Sequence, residues 1–339
     1  MSQDLAATRG VTEVEERSSS LLSRLLAETF GTFLLTLVIV GVLIYTPLNT
    51  YGVLGAALAG GFAYIAAGAA VSRVSGAHFN PAISLGAWLG GRISVGSMFS
   101  YWGAQIVGAV IAATVLLATY PRDLITLLQN QNPELTGLSD VFDSAVNGFG
   151  ENSPIYLITQ GGAQFNLLAA LLVEVIISAV LVGVYLGAND PRSKVGYAPV
   201  AVGSAIAALT MVSFYVTNTG MNPARSTAAA LFANDWGTDG SGRQLWLFWV
   251  APLVGAALAA LFYRAFGSTD VDEYVDLDDE DDEAVVVVAD EKTAVATTST
   301  TEADAKDEPV GSQTETEEEP VEPKTDTEKG AEKKADDKA

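Results

Sequence analysis

The sequence predicts an all-α integral membrane protein: six transmembrane helices plus two re-entrant half-helices, arranged as an inverted repeat. Three observations carry this. Six apolar runs are long enough to cross a bilayer, which takes about 20 residues in a helix. The tripeptide Asn-Pro-Ala occurs twice, at Asn80-Pro81-Ala82 and Asn222-Pro223-Ala224, each time opening an apolar run too short to cross. Each copy follows a long apolar segment carrying one Glu, with 52 residues from Glu28 to Asn80 and 48 from Glu174 to Asn222. A duplicated membrane unit with a polar break in each copy is the mark of a pore or transporter built from two repeats.

Residues 1–20 are polar and mixed in charge, without the short apolar core and cleavage site of a signal peptide. The expected spans are Leu21–Thr46, Val53–Ser72, Met98–Tyr120, Leu167–Gly187, Tyr197–Thr217 and Gln244–Phe266. Pro81–Gly90 and Pro223–Ala233 are the two short segments. Pro fits the first turn of a helix, where its missing N–H costs nothing. Asn-Pro-Ala therefore reads as cap, first residue and helix. The 46-residue stretch Pro121–Asn166 is longer than most connections, contains Gly, Asn and Pro, and is assigned no structure. The repeats cover about 21–120 and 167–266, within a membrane region of 21–266.

Residues 267–339 form a chemically different tail. From Ser268 onward it holds 26 acidic residues against 7 lysines, a charge of −19, so most of the formal −22 belongs to it. Such a segment cannot bury enough apolar surface to offset its chain entropy, and it is expected to be disordered. The chain has no Cys and one His, which excludes disulfides and argues against a zinc or haem site. No cofactor, metal or nucleic-acid partner is expected.

Orientation follows from the basic residues of the short connections. Arg17, Arg24, Arg73, Arg92, Arg192, Lys194 and Arg264 fall on one side, Arg122 and Arg243 on the other. Seven against two places both termini in the cytoplasm and makes 121–166 an external loop. Three spans separate equivalent points, so the two short segments enter from opposite faces. Irregular backbone at membrane depth is tolerated only when buried in protein or lining a water-filled cavity. Two half-helices solve this by meeting tip to tip at the midplane. Their positive dipole ends, and the N–H groups of Asn80 and Asn222, then point at one spot. A neutral hydrogen-bond acceptor passes such a spot, whereas a proton or metal ion meets a barrier.

At this point the chain resembles the aquaporin, or major intrinsic protein, family over roughly Leu21–Phe266. The likeness rests on Ala27-Glu28-Thr29-Phe30-Gly31-Thr32-Phe33, Ser75-Gly76-Ala77-His78-Phe79-Asn80-Pro81-Ala82 and Tyr101-Trp102-Gly103-Ala104-Gln105-Ile106-Val107-Gly108-Ala109. Gly220-Met221-Asn222-Pro223-Ala224-Arg225-Ser226 and Pro252-Leu253-Val254-Gly255-Ala256-Ala257 complete it. The resemblance implies one pore per subunit, a homotetramer, and a passive channel for water in the plasma membrane, with the lipid bilayer as its setting.

It also implies roles for single residues. Glu28 and Glu174 would hold the backbone of the re-entrant loops, with proton relay the alternative for ionisable groups inside apolar spans. Arg225, one turn into the second half-helix, would repel cations and bind a passing oxygen. The family's narrow filter maps by spacing onto Gly60, Thr210, Thr219 and Arg225. Strict water channels of the family place a large aromatic and a His at the first two positions. Gly60 and Thr210 are small, so a wider filter is expected, passing water plus a small neutral solute such as glycerol or urea. The glycerol facilitators' pattern is not matched either, because Thr219 and Ser226 depart from it. His78 would steady the first loop or serve as a pH-sensitive gate, the first being favoured. Gly103, Gly108 and Gly255 read as packing residues, and Trp102, Trp246 and Trp249 as interfacial anchors.

Other classes fit less well. A secondary transporter also uses broken helices in inverted repeats, but it would place a charged coupling site where two neutral Asn stand. An intramembrane enzyme needs a nucleophile–base pair or a metal cluster, and the spans offer neither. A scaffold role for the acidic tail leaves the duplicated motif unexplained.

Overall fold

A computed structural model describes residues 19–266, apart from 46, 47, 49, 50, 131, 132, 134, 234 and 239. Most of the polar N-terminal segment and the whole tail 267–339 lie outside the described residues.

Eleven α-helices and no strand occur among the described residues. The first repeat contains α1 (Leu21–Ile44), α2 (Gly52–Ser75), the short α3 (Pro81–Leu89) and α4 (Val95–Thr119). The second contains α8 (Leu167–Ala188), α9 (Ala198–Thr217), the short α10 (Pro223–Ala233) and α11 (Leu247–Phe266). Among the described residues, six long helices are apolar enough to cross a membrane, the last span running from Ser241. Polar residues start several of them. Ser20 accepts from Ser23 N at 3.2 Å, Ser94 from Ser97 N at 3.1 Å, and Asn166 from Ala169 N at 3.0 Å.

Equivalent glycines set the packing of both repeats. A Cβ at Gly108 would stand 2.3 Å from Thr29 O, and one at Gly255 would stand 2.4 Å from Val175 O. Only glycine lets α4 close on α1, and α11 on α8, at that distance. The two repeats meet through α2 and α9. There a Cβ on Gly61 would lie 2.6 Å from Gly203 O, and one on Gly203 the same distance from Gly61 O. Gly103, expected to pack similarly, has open space around its Cβ position.

The stretch 121–166, assigned no structure above, holds α5 (Arg122–Gln129), α6 (Leu138–Asp143), a 3-10 turn and α7 (Pro154–Ile158). Its apolar residues are spaced for one buried face: Ile125, Leu128, Leu138, Val141 and Phe142 are all buried, and all but Leu128 join the core shared with α10. Phe142 meets Phe232 of α10 at 5.7 Å between ring centroids. At the opposite end of the bundle, Asp190 accepts from Arg192 and from the Tyr263 hydroxyl, while Arg92 donates to Leu186 O at 2.6 Å and to Tyr263 Oη at 2.8 Å. The Arg192 guanidinium and the Tyr263 hydroxyl hold the Asp190 carboxyl well below the usual carboxylate range.

The placement of the tryptophans differs from the interfacial expectation. Trp246 is exposed, but Trp102 and Trp249 are half-buried and meet edge to face at 5.7 Å. Their N–H groups find acceptors inside the bundle, so they do not need the headgroup layer.

Candidate pore site

Each Asn of the duplicated tripeptide starts its half-helix as a cap. Asn80 Oδ1 accepts from Ala82 N at 2.8 Å, and Asn222 Oδ1 from Ala224 N at 3.1 Å. With the oxygens so engaged, the amide nitrogens turn the other way. Asn80 Nδ2 donates to Met221 O and Asn222 Nδ2 to Phe79 O, both at 2.9 Å. The bonds are reciprocal, so α3 and α10 meet N-terminus to N-terminus. Each Asn keeps one further N–H beyond this cross-bond.

The loops leading into the half-helices share a strained backbone. Ala77 and Phe79 in the first, and Thr219 and Met221 in the second, have positive φ, at 57°, 53°, 54° and 49°. Such residues cost about 1–3 kcal/mol each and persist only where their surroundings fix them. The glutamates do the fixing. Glu28 accepts from His78 N at 3.0 Å, Phe79 N at 2.7 Å, the Ser75 hydroxyl at 2.7 Å and Gln105 Nε2 at 2.8 Å. Glu174 accepts from Gly220 N at 2.7 Å, Met221 N at 2.9 Å and the Thr217 hydroxyl at 2.6 Å. Both carboxylates are fully buried, with every bond directed at one loop or its neighbours.

His78 is buried against the same loop. Its Nδ1 lies 3.0 Å from Ser84 Oγ, and its ring stands edge-on to Tyr101 and Tyr185 at 5.1 and 5.2 Å. This packing steadies the loop and leaves the imidazole 2% exposed, which is poor placement for a gate that must take up a proton from water.

One cavity collects the remaining residues. Gly60, Thr210, Thr219, Arg225, Asn80 and Asn222 all line it, together with Phe214, Asn218 and an apolar wall that includes Leu35, Ile39 and Ile206. The space open to water centres is ≈ 50 Å³. One water needs about 10–15 Å³ on that measure, so the cavity holds about four. Pro81, Ala82, Pro223 and Ala224 are buried in the first turns of the half-helices behind it. Glu28, Glu174 and His78 are not among the lining residues.

Three residues of this region carry no mark of their role in the sequence. Phe214 and Asn218 line the cavity one and two turns beyond Thr210, at the end of α9. Asn147, from the stretch 121–166, holds Arg225 and Ser226. Its Oδ1 accepts from Arg225 Nη1 and from the Ser226 hydroxyl, while its Nδ2 donates to Thr217 O at 3.1 Å and Asn218 O at 2.8 Å. Arg225 is thereby fixed although only 2% exposed. Its Nε has no partner among the described residues. The Asn147-Gly148-Phe149-Gly150 run is a turn signal, but nothing in it points 78 residues along the chain.

The profile of the family described as Major intrinsic protein matches residues 15–263. Aquaporin Z of Brucella melitensis is 38% identical over 256 residues, covering 74% of this chain and all of that protein. Aquaporin Z of Photorhabdus laumondii is 36% identical over 247 residues, covering 72% and 97%. Among solved structures, the aquaglyceroporin from Plasmodium falciparum shares the fold with a TM-score of 0.57 at 19% identity, covering 72% of this chain and 96% of that one. The chain belongs to the major intrinsic protein family.

Proposed function

We propose that this protein is a passive transmembrane channel for water that also passes small neutral solutes such as glycerol or urea, and excludes protons and ions. The observation that carries the reading is the pair of cross-bonded Asn amides in one cavity, each at the positive end of a half-helix. A water oxygen at that point meets donors, so its own hydrogens turn outward and its neighbours cannot pass a proton through it. The converging helix dipoles and the fixed charge of Arg225 raise the energy of any cation there.

Gly60, Thr210 and Thr219 leave the filter without the aromatic and His of a strict water pore, which supports the leakage of a small polyol or amide. Asn80, Asn222 and Arg225 act on the solute, with Glu28, Glu174 and His78 as supports. The excess of Lys and Arg on one side supports cytoplasmic termini, and membership of a membrane-channel family supports residence in the plasma membrane. Family membership supports a homotetramer and the absence of enzymatic activity. The test is swelling of proteoliposomes in water, glycerol and urea gradients beside a proton-leak assay. Linear, ion-independent water flux with no added proton leak is expected. Flux coupled to an ion gradient, or none above empty vesicles, defeats the reading.

A further inference from the structure

Trp102 and Trp249 occupy equivalent places in the two repeats. Each stands six residues before the packing glycine of its helix, Gly108 or Gly255. Trp102 reaches the first turn of its half-helix directly, and Trp249 reaches that of the other through one side chain. Trp102 Nε1 donates to Pro81 O at 3.0 Å. Trp249 Nε1 donates to Thr227 Oγ1 at 2.9 Å, and that hydroxyl donates to Pro223 O at 2.7 Å. Pro81 and Pro223 directly follow the two pore amides. The rings themselves touch edge to face at 5.7 Å and 69°, joining α4 of one repeat to α11 of the other.

We propose that the two indoles form a tie across the repeat boundary, and that it positions the paired half-helix tips and hence the two Asn amides. The inference rests on the channel reading above and adds positioning residues to it. Two features favour positioning over simple space filling. Both N–H groups are used, and both end on the same carbonyl of the duplicated motif. In the second repeat Thr227 relays the bond from the position held by Leu85 in the first. The cross-bonds from Asn80 to Met221 O and from Asn222 to Phe79 O hold the tips together on the pore side. The indoles hold them from the outer side, which fixes the angle between α3 and α10 as well as their distance. That angle sets where the dipoles converge, so its loosening should appear first as lost discrimination against protons.

The test measures the ratio of proton leak to water flux in proteoliposomes for Trp102→Phe, Trp249→Phe, Thr227→Val and Thr227→Ser. Interhelical hydrogen bonds in membranes are worth about threefold in an equilibrium, and at most about twentyfold. Trp249→Phe and Thr227→Val should each raise the ratio about threefold. The double variant should be no worse than either, because one bonded chain is broken in both. Thr227→Ser keeps the relay and should restore the ratio. The coupled-indole signal in circular dichroism should vanish in either Phe variant. An unchanged ratio in Trp249→Phe and Thr227→Val, with native helix content, overturns the proposal; so does equal damage from Thr227→Ser. Should Trp102→Phe fail to insert, the Thr227 pair decides. If the unaltered protein conducts no water, the channel reading fails, while presence or loss of the indole signal still judges the tie.

Discussion

Replacing Glu28 by Gln asks whether a buried carboxylate is needed to hold the first loop. The side chain would keep its shape but exchange one acceptor oxygen for an N–H₂ donor. In the native site Oε1 receives Ser75 and His78 N, and Oε2 receives Phe79 N and Gln105. Ser75 can rotate its hydroxyl, and Gln105 can turn its amide. The two backbone N–H groups cannot adapt. Whichever way the new amide lies, it faces one of them and leaves it without an acceptor. A buried orphaned N–H costs about 1–3 kcal/mol. Relief from burying a charge opposes the weakening of the other three bonds, so a net loss of about 2 kcal/mol is expected. That is comparable to the strain at one left-handed residue, and shifts the loop equilibrium by about thirtyfold. Stopped-flow swelling of Glu28→Gln proteoliposomes should show water flux reduced severalfold, with helix content kept because the spans remain packed and the thermal midpoint lowered by several degrees. Glu174→Gln should behave alike, since Met221 N or Gly220 N is orphaned in the same way. Native flux in both variants would refute the claim that these carboxylates hold the pore backbone. Loss of proton-driven uptake would instead support the relay alternative.

Other consequences can be checked in the same vesicles. Asn147→Ala removes the acceptor of a buried guanidinium, a loss of about 1.5–3 kcal/mol, and should change the glycerol-to-water ratio more than the thermal midpoint. Gly60→Phe should pass water but exclude glycerol, because a Cβ there meets Ile39 and Ile206 at an ordinary 3.4 and 3.5 Å while the ring must enter the cavity. Gly108→Ala and Gly255→Ala should each lower stability by about 1–3 kcal/mol through overpacking, read as the thermal midpoint in detergent. The depressed Asp190 carboxyl contributes fully above its ordinary value of 3.8 and loses its contribution only as the pH falls through the lower folded value. Asp190→Asn should therefore lower the midpoint at pH 7, and the two proteins should converge in stronger acid.

The spans are legible in the sequence because an apolar run of bilayer length is rare in a chain that stays in water. The half-helices are legible because Asn-Pro-Ala at the head of a short apolar run reads as cap, first residue and helix. The glutamates stand out as charges with no business in lipid. What the sequence hides depends on contacts distant along the chain. Helices α5 to α7 are too short to announce themselves, and α6 gains its place from packing on α10. Asn147 looks like any turn residue until Arg225 is beside it. Trp102 and Trp249 depart from the interfacial expectation because depth along a helix says nothing of which neighbour the ring meets.

The reciprocal bonds from Asn80 to Met221 O and from Asn222 to Phe79 O relate the two halves by an approximate two-fold axis. An ancestral single repeat pairing with an inverted copy would already present both amides by two-fold symmetry. It would also place identical residues on either side of the midpoint. Here the counterpart of Arg225, three residues after its Asn, is Ile83. Two copies within one chain are free to differ, so a single guanidinium marks one half and leaves the other plain. The two ends of the bundle are therefore chemically distinct.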